Sequence, residues 1–200
     1  MERSPLCPIS FPASSGPVPG DRECFQIWRK HSMPPHIRKH SLKVARIATA
    51  LADIARQRNW DIHVQEVRAS ALLHDLGKTY TITHQGNHSQ LGASQVLELT
   101  GNPAIAQGVI HHVHWPGDLD PRRHFLPLAV FYADKRVKHD RIVTLRQRYE
   151  DVIDRYGKSY ERKQMIYYSF CRACALEKEF NRSLEVELDA YTFDQRRMVQ

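Results

Sequence analysis

From His36 to Arg58 the apolar residues Val44, Ile47, Ala48, Leu51, Ala52, Ile54 and Ala55 recur every three or four positions. That spacing is the period of a helix that buries one face, and it returns along most of the chain. It predicts a second helix from Val64 to Leu76 with Gly77 as its C-terminal stop, then helices from Ser89 to Leu99 and from Pro103 to His112. The run from Phe125 to Lys138 is apolar up to Ala133 and reads as a buried helix. Arg141 to Tyr156 and Tyr160 to Glu187, broken at Gly157, complete the set. The polar segments Lys78 to Asn87 and Trp115 to Arg123 read as loops. No segment alternates with period two, so the expected class is all-α, a helical bundle with additional C-terminal helices.

A chain of 200 residues with 42% hydrophobic and 26% charged residues has the make-up of one globular domain with appended arms. Residues 1–33 are expected to form a flexible Pro/Ser-rich arm and a short lead-in, with a helical turn from Cys24 to Lys30 and the core starting at Pro34-Pro35. The main domain is placed at residues 34–140, and residues 141–200 are read as a helical extension packing on it. The net charge of +7 favours anions, phosphates first among them. No nucleic-acid-binding motif accompanies it, so nucleic acid is not the expected partner. The four cysteines make no disulfide framework, and the pair Cys171/Cys174 lacks a second pair to complete a zinc site. No secretory pattern opens the chain, and its longest apolar stretches fall far short of the ~20 residues that span a membrane. The expectation is a cytoplasmic protein without a membrane span, with room for homo-oligomerisation.

Histidine is the unusual component: there are 12, and His74, His84, His88, His111, His112 and His114 lie close together in the sequence. His40, the pair His74-Asp75, and Asp134 each sit on, or at the end of, a different apolar helix. Burying imidazoles and carboxylates in apolar layers costs several kcal/mol unless they are hydrogen-bonded, paired or bound to a metal. Together they read as a metal site, while His31, His36, His63 and His139 read as surface residues.

The contexts IRKHSLKVA, ALLHDLGKTY and FYADKR carry this set in the order His, His-Asp, Asp, and the chain thereby resembles the HD-domain superfamily of metal-dependent phosphohydrolases over about residues 34 to 140. The resemblance implies that His40, His74, Asp75 and Asp134 ligate one divalent ion. The string HSQLGA after His88 and the pair His111-His112 resemble the additional histidines of members that hold two metals. By that resemblance His88 and His111 ligate a second ion, Asp75 bridges, and His112 is a further ligand or a substrate contact. His84 is the substitute if the short spacing from Asp75 excludes His88. The implied cofactor is one or two divalent transition metals among Fe, Mn, Zn, Ni and Co.

The implied reaction is hydrolysis of a phosphoester or phosphoanhydride of a nucleotide or dinucleotide, by a water that the metal acidifies and Asp75 orients. Lys78 is expected to contact phosphate, with Lys135 and Arg136 as further substrate contacts, whereas Lys138 and Arg141 read as a solvated face. The alternatives are a di-iron oxygenase of the same superfamily and a non-catalytic nucleotide-sensing or partner-binding module.

Overall fold

The computed structural model describes residues 16–188 and Phe193. Residues 1–15, the larger part of the expected arm, lie outside them. Residues 16–20 do not behave as an arm: Pro19 is buried and its carbonyl accepts from Gln65 Nε2 at 2.9 Å, while Gly16 O accepts from Asn102 Nδ2 at 3.2 Å. Helix α1 (Asp21–Lys30) follows, longer than the expected single turn. It carries core side chains, because Cys24 and Trp28 are buried and Trp28 Nε1 donates to Leu72 O at 3.0 Å, and Met33 just after it is buried too. The core therefore begins before Pro34.

Helix α2 (Pro35–Gln57) is the long central element, opened by Pro35 with its fixed φ and closed where Asn59 turns left-handed. Its buried stripe from His40 and Val44 to Ala55 packs on α3 (Val64–Leu73), α7 (Phe125–Lys135) and the chain around them. Between these come α4 (Lys78–His84), α5 (His88–Thr100) and α6 (Pro103–His111). Asn87 and Asn102 cap the last two by accepting from backbone N–H groups of their first turns, and Gly101 ends α5 at φ 63°.

Three expectations need correction. Lys78 to His84 is a helix and not loop, continuing the chain after the tight turn at His74–Gly77; none of its residues is buried, so no apolar stripe announced it. Helix α7 stops at Lys135, and β1 (Val137–Lys138) pairs antiparallel with β2 (Arg141–Ile142), a hairpin too short to alternate visibly. Helix α8 (Leu145–Tyr156) consequently starts later than expected, at the capping box of Thr144 and Gln147. The class is nonetheless helical, with this hairpin the only sheet among the described residues.

Helix α9 (Tyr160–Leu184) returns across α7 and α8, with the Phe180 ring edge-on to Phe125 and Tyr132. No helix among the described residues is long and apolar enough to cross a membrane. Burial pushes the Cys24 thiol up to about 12, whereas Cys171 is exposed on α9. A protonated thiol is a poor nucleophile, so iodoacetamide at pH 8 is expected to label Cys171 and spare Cys24, as peptide mass mapping would read. Equal labelling would contradict the packing of α1.

Candidate metal centre

The ends of α3 and α7, the second turn of α2, the first turn of α5 and the end of α6 meet at one point. There His40, His74, Asp75, His112 and Asp134 are all buried, and His88 is half-buried. His40 Nε2 lies 3.0 Å from Asp134 Oδ1 and 3.9 Å from Asp75 Oδ2; His74 Nε2 lies 3.3 Å from Asp75 Oδ2 and 3.8 Å from Asp134 Oδ1. On the other side of the same carboxylate, His112 Nε2 and His88 Nε2 lie 3.5 and 3.6 Å from Asp75 Oδ1, and 3.1 Å from each other. Ligand atoms that share one ion at about 2.0–2.3 Å stand roughly 3–4 Å apart, which is the spacing found here.

The orientation of the rings is set from behind. His40 Nδ1 donates to His139 O at 2.9 Å, His74 Nδ1 to Ala71 O at 2.7 Å, and His112 Nδ1 to Val109 O at 2.6 Å. A carbonyl can only accept, so each ring carries its proton on Nδ1 and, when neutral, turns a bare Nε2 lone pair toward carboxylate oxygens that are also acceptors. Acceptors facing acceptors in a buried place call for a proton or a metal cation between them. His74 Nε2 and Asp75 Oδ1 indeed have no hydrogen-bond partner although both are buried. Histidines anchored through the second ring nitrogen are the usual arrangement of metal ligands, and the residues present fit a divalent ion. Two overlapping groups are close enough to hold one: His40, His74 and Asp134, and His74, Asp75 and His112.

The electrostatics put His88, His112 and the two carboxylates in their ligating forms and leave His74 a proton to give up when a metal binds. Burial, then the facing His112, pushes His88 down to about 4, and burial lowers His112 as well. Both are neutral near pH 7. Burial disfavours charge on His74, but the carboxylates of Asp75 and Asp134 outweigh it and raise its pKa. Burial likewise opposes ionisation of Asp75 and Asp134, yet His74 and Lys78 around the first, and Lys135 and His40 around the second, hold both well below the usual carboxylate range. Lys78 Nζ donates to Asp75 Oδ2 at 2.7 Å, and Lys135 Nζ donates to Asp134 Oδ2 at 2.8 Å and to His112 O at 2.9 Å.

Several expected residues are elsewhere. His111 belongs to neither group and lays its ring edge-on against Trp115 at 5.2 Å; His112 is the histidine of that pair turned inward. The phase of α6 carried the signal, since Ile105, Gly108, Val109 and His112 follow one buried stripe. His84 is exposed and stacked on Tyr80, whereas His88 lies outside both groups but turns its Nε2 to within 3.6 Å of Asp75 Oδ1. Arg136 is buried away from the centre, where it donates to Tyr132 OH, Glu177 Oε2 and the Val143 carbonyl.

Gly77 was expected as a helix stop, but it sits at right-handed φ −62° and opens α4. Its lack of a side chain serves another purpose. A Cβ there would collide with the His88 carbonyl and stand 2.7 Å from Gly92 N, and a Cβ on Gly92 would stand 3.1 Å from Gly77 N. The two glycines let the turn after Asp75 press directly on the first turn of α5, which brings His88 to Asp75. Gly77→Ala is expected to push α5 outward, cost about 1–3 kcal/mol in urea unfolding and lower the retained metal. Wild-type metal content in that variant would contradict the close-approach role.

Comparison with known proteins agrees with this geometry. The model of the HD-domain family matches residues 37–157, more than half of the chain, and the chain belongs to that family. Its domains are typically metal-dependent hydrolase domains that bind divalent metals. The chain is also similar to ribonuclease Y of Dehalococcoides mccartyi, from strains BAV1 and CBDB1, at 27% identity over 77 residues in each case. That stretch covers 38% of this chain and 14% of those enzymes. No solved structure matches significantly.

Proposed function

We propose that this chain is a phosphohydrolase that cleaves a phosphoester or phosphoanhydride of a nucleotide or dinucleotide. The observation that carries the reading is the convergence of four imidazoles, three of them anchored through backbone carbonyls, on the opposite oxygens of Asp75. Oδ2 faces His40 and His74, while Oδ1 faces His88 and His112. In this reading His40, His74, Asp75 and Asp134 hold one divalent ion, and Asp75, His88 and His112 hold a second, with Asp75 shared. A divalent ion so held supplies an acidified water, with a pKa near 7, and neutralises charge that builds on the phosphoryl oxygens.

The chain's own groups do the rest. Asp75 and Asp134 supply the negative charge that would hold the ion beside the carbonyl-anchored imidazoles, and Asp75 accepts a hydrogen bond that aims the attacking water. Lys78, kept cationic beside Asp75, and Lys135, bonded to Asp134, present ammonium protons where phosphate oxygens approach. The similarity to ribonuclease Y adds short RNA to the substrates worth assaying.

The test is a panel of nucleoside mono-, di- and triphosphates, dinucleotides and short RNA, offered to protein purified without chelator. Release of phosphate or nucleotide is followed by chromatography. The expected result is turnover of at least one compound, lost in EDTA and in His74→Ala and restored to the wild type by a divalent metal. Metal-loaded protein that turns over none of them contradicts the reading and leaves the binding-module alternative; oxygen uptake by an iron-loaded protein would instead favour the oxygenase.

A further inference from the structure

Helix α8 lies outside the residues that the sequence assigned to the site, yet the hairpin joins it to the centre. The carbonyl of His139, at the hairpin's turn, accepts from His40 Nδ1, and Lys138 beside it reaches Asp151 Oδ1 on α8 at 3.4 Å. Asp151 is buried and also holds Arg148, whose Nη1 donates to Oδ2 at 3.0 Å. Arg155 covers the same carboxylate, at 3.1 Å from Nε and 2.5 Å from Nη2. Arg148 and Arg155 thus share one anchor but differ in what they have left. The edge of the Arg148 guanidinium formed by Nε and Nη2 carries no hydrogen bond among the described residues, and its Nε is buried. Arg155, by contrast, spends that edge on Asp151.

A buried charged donor without a partner bears the full loss of its hydration, so it calls for an acceptor that arrives from outside. The Nε/Nη2 edge is a planar pair of parallel donors that matches two oxygens of one phosphate. We propose that Arg148 is a phosphate-receiving residue of this site, held by Asp151 so that its free edge takes two oxygens of the substrate's phosphate. The inference rests on the hydrolase reading above, to which it adds a specificity residue from the C-terminal part of the chain. Anchored this way, the arginine selects for the phosphate itself and leaves the metal ligands untouched.

The experiment titrates inorganic phosphate into manganese-loaded protein by calorimetry, with metal content measured on each sample, for wild type, Arg148→Ala, Arg148→Lys and Arg155→Ala. Arg148→Ala is expected to bind phosphate about 10- to 100-fold more weakly at unchanged metal content. Arg148→Lys keeps a cation on Asp151 but has no two-donor edge, so it should recover little of the affinity; it carries the test if the alanine variant does not fold. Arg155→Ala, which disturbs the same carboxylate, should bind as the wild type does. Wild-type affinity in both Arg148 variants, an equal loss in Arg155→Ala, or no phosphate binding by the wild type would each overturn the proposal. Turnover with unchanged KM in Arg148→Ala likewise overturns it while leaving the hydrolase reading. Phosphate binding that depends on Arg148, in a protein that hydrolyses nothing, sinks the hydrolase reading alone.

Discussion

Asp75→Asn is expected to remove the bound metal and to lower turnover by at least ~10³-fold, an effect of several kcal/mol on the transition state. The substitution keeps the size of the side chain and removes the charge that four imidazoles and Lys78 face. An amide offers one oxygen in place of two, so it cannot serve both the His40/His74 side and the His88/His112 side. Asp75 lies in the turn between α3 and α4 and belongs to no helix, so far-ultraviolet circular dichroism should stay at the wild-type level. Metal analysis and an assay on the best substrate check the two halves together. A variant that keeps both metal and turnover would contradict the role given to Asp75.

The second large effect concerns stability and leaves the metal alone. Arg136→Ala or Glu177→Ala is expected to cost about 3–5 kcal/mol, because each breaks a buried ion pair by removing one of its members. Arg136 Nη1 reaches Glu177 Oε2 at 3.1 Å and Tyr132 OH at 2.5 Å, and the Tyr132 hydroxyl also donates to Glu177. The network fastens α9 to the end of α7, the helix that carries Asp134. Urea denaturation reads the loss, and metal per folded molecule should be unchanged. If Arg136→Ala instead left stability intact and raised KM, Arg136 would be the substrate contact that its place after Asp134 had suggested.

That contrast shows where the sequence was informative. The apolar period located α2, α3, α5, α6, α7 and α9, because each buries a stripe that pattern alone reveals, whereas α8 buries only Leu145 and Asp151 and was legible from its helix-forming composition. His40, His74, Asp75 and Asp134 stood out for the same reason, as polar residues within apolar stripes. Elements without a stripe did not stand out: α4 buries nothing, and the hairpin has only two residues per strand. Direction was the second obstacle. Arg136 follows Asp134 by two positions, about 200° around a helix, so the two point to opposite sides. The choice of His112 over His111 was within reach of the same periodicity. The close approach of Gly77 to α5, and the free edge of Arg148, depend on tertiary neighbours that no local pattern contains.

The most direct test of the metal centre is native mass spectrometry of the folded chain after reconstitution with manganese or iron, comparing wild type, His112→Ala and Asp75→Asn. The account predicts about two ions on the wild type, about one on His112→Ala and none on Asp75→Asn. A wild-type chain that retains no ion, or an Asp75→Asn chain that retains as many as the wild type, would contradict it.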